Sequence, residues 1–288
     1  MQGGLPMIFH MNKEEEHKMK KIIFSLLSII VIVCGCNPVV DDIQAGGVVN
    51  ESDLVLDVHA TTDGGNQIVM TNNTSKVGSY WNYGTGYSSL QNDTVCLPFL
   101  GEQKITFTGL CGGGTVTTTR TVNITQIDHA VAEQWGLLAG TGTTGKTWVW
   151  DSTAEAVYGT GGYLAEFVPD WTPVTLSDTD DPDGYMVFDL NGGANFIRYK
   201  GDGTVAESGT FSFDMSSTKV DPDDDSQWSI GVLKLSGATV LNGYIYGTTD
   251  PLYQYDILEL TDDTMVLCAA PDGTEAWDNG TFWLFRKK

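Results

Sequence analysis

The chain has 288 residues, 41% of them apolar and only 18% charged, with a formal net charge of −22. That length allows one large domain or two modest ones, and the abundance of Gly, Thr, Asn and Ser suits short strands joined by turns rather than helical bundles. So acidic a chain repels phosphate backbones, which argues against a nucleic-acid partner and leaves neutral or cationic ligands open.

The first 36 residues are set apart. Lys20 and Lys21 precede a largely apolar run over residues 22–33, too short for a comfortable membrane span and right for the core of an export signal. Val33-Cys34-Gly35-Cys36 follows and resembles a bacterial lipobox. The resemblance implies a diacylglyceryl thioether on Cys36, cleavage before it and N-acylation, and hence stable anchoring to a membrane. Residues 1–18 look like a misassigned upstream start, with Met19 the more natural beginning. Residues 37–50 carry Pro, acids and Gly without a period and are expected to be a linker.

Residues 51–127 read as a small β-sandwich. Strand patterns occur at 54–58, 67–74, 80–86, 101–109 and 115–124, separated by turn residues. Asn72-Asn73-Thr74, then Trp81-Asn82-Tyr83-Gly84, then Pro98 to Thr108 with its Gly101 and Ile105-Thr106 resemble the motifs of a PKD domain, in the family's order. The resemblance implies an immunoglobulin-like sandwich that acts as a spacer, with Trp81 in its core. Asn82 stands where the family has Asp. Cys96 and Cys111 are 15 residues apart and are read equally as a disulfide or as free thiols, with Cys268 odd in either case.

Residues 128–288 form the second module. A helical turn or two is expected over 130–139, limited by Gly136 and Gly140. Strands are expected at 146–151, 184–191, 194–200, 205–214, 228–236, 239–246, 254–261, 264–270 and 281–286, with tight links such as Gly192-Gly193 and Asp262-Asp263. Short successive hairpins make a meander, which closes naturally into an up-and-down barrel. Ile257 to Leu267 and the aromatic final strand Phe282-Trp283-Leu284-Phe285 resemble the lipocalin-like domains of bacterial lipoproteins. The fold expected is therefore all-β, a PKD-like sandwich followed by a larger antiparallel meander barrel, with a jelly roll as the alternative.

The long irregular stretch 152–183 is where a binding site is expected, since long loops in compact domains are more often functional than idle. It offers aromatics and glycines rather than catalytic clusters. Sugar rings stack C–H bonds on aromatic faces while amides and carboxylates take up hydroxyls. The ligand-contact candidates are Trp148 and Trp150, which share one strand face and otherwise fill the barrel, Tyr163 and Trp171 in the loop, and Trp228 after the acidic run 221–225. The acidic runs 178–183 and 221–225 invite a calcium reading, but they do not match an EF-hand, and solvated loops are the simpler expectation. The four His are scattered and no CxxC pair occurs, so no metal or other cofactor is expected. No nucleophile elbow, zinc-protease motif or P-loop is present, and Glu155 and Glu166 form no recognisable glycosidase motif. The expected function is a non-catalytic outer-membrane lipoprotein that binds glycan beside an uptake complex. The rivals are a lipocalin-like carrier of a small apolar molecule and a structural envelope component.

Overall fold

The computed structural model describes residues 46–288. The signal, the lipobox and Cys36 lie outside the described residues.

Alternation of apolar and polar residues produces the first module. Its strands are β1 (Leu56–Ala60), β2 (Gln67–Asn72), β3 (Gly78–Asn82), β4 (Tyr87–Ser88), β5 (Asn92–Cys96), β6 (Gly101–Cys111) and β7 (Gly114–Ile124). They form two antiparallel sheets, β1-β2-β5 and β4-β3-β6-β7. In β2 every second residue is buried, so Ile68 and Met70 face the opposite sheet and meet Ile105 and Phe107 of β6. Trp81 is fully buried and packs on Phe107 with ring centroids 4.6 Å apart, which agrees with its expected core role. Asn82 closes a local turn by accepting the Gly84 N–H. Cys96, Cys111 and Cys268 are all free thiols.

A short helix, α1 (Glu133–Ala139), joins the modules. Its Trp135 lies within 6 Å, centroid to centroid, of Phe99 from the sandwich side and of Phe211 and Phe213 from the barrel side. Leu100 N–H donates to Leu190 O, and Gly192 N–H returns to Leu100 O. The modules are thus stitched together by both an aromatic joint and backbone hydrogen bonds.

The second module contains β8 (Lys146–Trp150), β9 (Tyr158–Gly162), β10 (Thr172–Val174), β11 (Tyr185–Asp189), β12 (Asn195–Tyr199), β13 (Val205–Asp214), β14 (Lys219–Val220), β15 (Gln227–Ser229), β16 (Gly231–Ser236), β17 (Gln254–Leu260), β18 (Thr264–Ala269) and β19 (Asn279–Lys287). The order β8-β11-β12-β13-β16-β17-β18-β19 returns to β8, because Phe285 pairs with Trp150 and Lys287 with Trp148. This is a closed antiparallel barrel of eight strands, not a jelly roll. The closing edge is shared, since β19 pairs with β8 along one half and with β9 along the other. Two further expectations change. Residues 239–246 are not a strand. Val240 and Leu241 are buried, and Asn242 O accepts the Trp283 indole N–H, so the segment folds inward as a plug. The stretch 152–183, expected to be irregular, contains the fully buried β9. Gly159 permits this: at φ +137°, any Cβ there would sit 2.0 Å from Thr172 O of the neighbouring β10.

Candidate functional site

The barrel interior is filled by its own side chains. Trp148 and Trp150 of β8, Phe188 of β11, Phe196 of β12, Tyr255 of β17 and Trp283 of β19 all point inward and are buried. Rings meet throughout: Trp150 stacks on Phe285 at 4.9 Å, Tyr255 meets Trp283 at 5.2 Å, and Phe188 meets Phe196 at 4.5 Å. A packed interior of this kind is core, not a ligand cavity. The expected surface role of Trp148 and Trp150 is therefore corrected. Their strand face is the inner one, and burial of their rings keeps them from any surface platform.

Tyr163 and Trp228 are also buried, in a second small core on the outside of the barrel. There the β14–β15 hairpin lies against β17, and its Trp228 shares a cluster with Leu258, Phe282 and Leu284. Tyr163 and Trp228 meet edge to face at 5.1 Å, and Trp228 Nε1 donates to Glu166 O. Both were read from the sequence as ligand contacts; their burial makes them the floor of a site and not its contact face. Asp256 of β17, nearly buried, anchors this layer. Lys219 Nζ of the hairpin donates to Asp256 Oδ2 at 2.7 Å and to the Tyr163 hydroxyl at 2.5 Å. Burial opposes the Lys219 charge, but Asp256 and Tyr163 outweigh it and raise its pKa, so the ammonium stays protonated. Burial pushes the Tyr163 hydroxyl up.

Above this floor three segments converge: residues 163–171 leaving β9, the tip of the β14–β15 hairpin, and residues 270–278 between β18 and β19. Backbone bonds tie the first to the third, Tyr163 N–H to Asp278 O and Trp277 N–H to Tyr163 O, and the first back to β9, Trp171 N–H to Thr160 O, each 2.9 Å. Each segment holds one non-glycine residue in the left-handed region: Leu164 at φ +59°, Asp225 at +60° and Trp277 at +64°. Such residues cost about 1–3 kcal/mol each and concentrate at functional loops.

The segments present two exposed indoles, Trp171 (43% exposed) and Trp277 (51% exposed). Both flank Gly162. A Cβ there would lie 3.0 Å from Trp277 Cε3 and 3.3 Å from both Trp171 Cζ2 and Glu166 Oε2, so only glycine leaves the floor between the rings open. A carboxylate lies beside each indole. Trp277 Nε1 donates to Asp223 Oδ2 at 2.8 Å, while the Glu166 carboxylate beside Trp171 accepts the Gly162 N–H at 2.5 Å. Desolvation, reinforced by the adjacent Asp170 carboxyl, raises the Glu166 pKa above its ordinary value. Other exposed aromatics differ: Tyr80 and Tyr87 of the sandwich stack on each other at 5.5 Å and so use one another's faces. Among the described residues no ring stacks on Trp171 or Trp277.

Of the residues singled out from the sequence, only Trp171 is placed in the exposed site. Its partners Trp277, Asp223 and Asp170 were missed, and Glu166 was considered only as a hydrolytic acid. Trp277 carried the same signal as Trp171, an aromatic inside a turn-rich loop, in Pro271-Asp272-Gly273-Thr274-Glu275-Ala276-Trp277. The acidic runs serve local turns. Asp221 caps Asp223 N–H, Asp224 caps Ser226 N–H, and Asp181 accepts Gly201 N–H. Among the described residues no group of three or more His, Cys, Asp or Glu is arranged to hold a metal ion.

No family model and no curated protein matches this chain. Among solved structures, the PKD1 domain of Vibrio anguillarum Epp is similar to it at 23% identity, over 25% of this chain and 92% of that one, with a TM-score of 0.21. A structure described as a promiscuous carbohydrate-binding module of the β-sandwich superfamily is similar at 12% identity, over 82% of this chain and 91% of that one, with a TM-score of 0.22. At such scores neither likeness decides what this chain does.

Proposed function

We propose that this chain is a non-catalytic glycan-binding lipoprotein, anchored in the outer membrane through Cys36, with the sandwich as spacer and the rim of the barrel as binding face. The observation that carries the reading is the pair Trp171 and Trp277. Two exposed indoles beside one glycine, Trp277 pinned by the Asp223 carboxylate and Trp171 next to the Glu166 carboxylate, offer aromatic faces with hydrogen-bond acceptors beside them. Pre-fixed rings lose little freedom on binding. The filled barrel supports this over the carrier reading.

An oligosaccharide array probed with the purified protein tests the reading. Binding to a restricted set of glycans, lost in a Trp171→Ala, Trp277→Ala double variant, is the expected result. An array that stays empty overturns it. The anchor is tested separately: Cys36→Ala should abolish labelling by radioactive palmitate, and persistent labelling would refute lipidation at that residue.

A further inference from the structure

Resting on the glycan reading, we propose that the ligand carries a protonated amine, as in an amino sugar without its acetyl group, and that the Glu166 carboxylate between the two indoles receives it.

The argument begins with what the rim offers. Exposed indole faces attract cations as well as sugar C–H bonds, and of the aromatic side chains indole does so best. The polar groups beside those faces are carboxylates: Glu166 and Asp170 from the first segment and Asp223 from the hairpin. The third segment, 270–278, adds three acids and no Lys or Arg, and segment 163–171 likewise contains no base. The lysine of the hairpin, Lys219, is engaged below the rim by Asp256 and Tyr163. Carboxylates only accept hydrogen bonds, whereas an ammonium group offers three donors and no acceptor. The match is complementary in both charge and hydrogen-bond sense. An acetylated or hydroxyl-bearing ring satisfies fewer of those acceptors, and a uronic acid or sulfated sugar would be repelled.

The position of Glu166 sharpens the case. Its carboxylate sits 3.3 Å from where a Gly162 Cβ would be, on the same open floor that both rings border. Desolvation and then the Asp170 carboxyl raise its pKa, and a bound cation would offset that unfavourable charge. Asp223 is committed to holding Trp277, and Glu166 spends one oxygen, Oε2, on the Gly162 N–H, which leaves its Oε1 and the Asp170 carboxyl to meet the amine.

Calorimetry with three oligosaccharides of equal length tests this: a β-1,4-glucosamine oligomer, its fully N-acetylated form and the corresponding glucose oligomer. At low salt the glucosamine oligomer should bind about tenfold tighter than either neutral oligomer, with the advantage shrinking as salt is raised. Glu166→Gln, or Asp170→Asn at a more exposed position, should reduce that preference for the glucosamine oligomer over the neutral ones. Trp277→Ala should weaken the glucosamine oligomer as well. Glucosamine binding that survives Trp277→Ala undiminished would be diffuse attraction to an acidic protein and would overturn the inference. Equal or tighter binding of the neutral oligomers overturns it too, while leaving the glycan reading intact. If none of the three binds, the inference fails, and the array decides whether the glycan reading fails with it.

Discussion

The tryptophans of the core and Trp277 of the rim satisfy their ring N–H groups differently. Trp81, Trp148, Trp150, Trp228 and Trp283 are buried, and each donates to a backbone carbonyl: Leu90, Leu138, Asp181, Glu166 and Asn242 respectively. Trp171 and Trp277 are exposed; Trp277 donates to the Asp223 carboxylate, and Trp171 lies beside the Glu166 carboxylate. A neutral carbonyl satisfies a buried N–H without bringing a charge into the core. At the surface an ionised acceptor remains hydrated, gives a stronger hydrogen bond and fixes the ring by one edge. The same residue is packing in one region and an oriented surface tool in the other, and for Trp277 the acceptor of its N–H distinguishes the two.

The strongest challenge to that contrast is to remove one ring from each region. Trp283→Ala should create a cavity bordered by Tyr158 and Tyr255 and cost about 3–5 kcal/mol of stability, with binding per folded molecule unchanged. Chemical denaturation measures it, and a cost near zero would mean that the barrel interior is not the core. Trp277→Ala should show the converse. Binding should weaken by about 2 kcal/mol, roughly thirtyfold, while the melting temperature stays within a few degrees. A large stability loss there would place Trp277 in the core and break the comparison.

Smaller effects sharpen it. Asp223→Ala removes the edge bond of Trp277 but keeps the ring, so affinity should fall by about 1 kcal/mol, roughly fivefold. An unchanged affinity in titration calorimetry would show that the carboxylate does not position the indole. The smallest effect concerns Glu166. Its pKa is raised in the folded protein by desolvation and then by Asp170. The stability it contributes is therefore fully present below the ordinary glutamate pKa and is lost as pH rises through the raised value. Many other carboxyls titrate in this range, so the readout is the difference between wild type and Glu166→Gln. The wild type should lose stability relative to the variant as pH rises through that window. A flat difference would remove the special environment assigned to Glu166.

Much of the fold could be read from alternation. The period-two pattern and short turns announced the sandwich strands, and the meander over 184–214 and 254–286 needed only adjacent pairings, with β16 joining it after the excursion of the β14–β15 hairpin. Two places resisted. Residues 239–246 carry a strand-like apolar pattern, yet Val240 and Leu241 plug the barrel, because a buried segment can satisfy its apolar residues without joining a ladder. Tyr158–Gly162 has too many glycines to read as a strand, yet it is one, because Gly159 and Gly161 let the following chain fold closely across it.

The site divides along the same line. Residue chemistry and position in a turn-rich loop were enough to single out Trp171, since a ring between Pro169 and Pro173 has no strand face to bury it. Composition alone also set the sign of the charge that a ligand would meet. Which other rings join Trp171 depended on distances across the chain: Gly162, Asp223 and Trp277 are brought together by barrel closure and by the hairpin laid over β17. Local pattern placed Trp148 and Trp150 on one face of their strand. Only the closing of β8 onto β19 decided that this face is the inside, because in a barrel the pairing of the last strand with the first determines which alternate residues are enclosed.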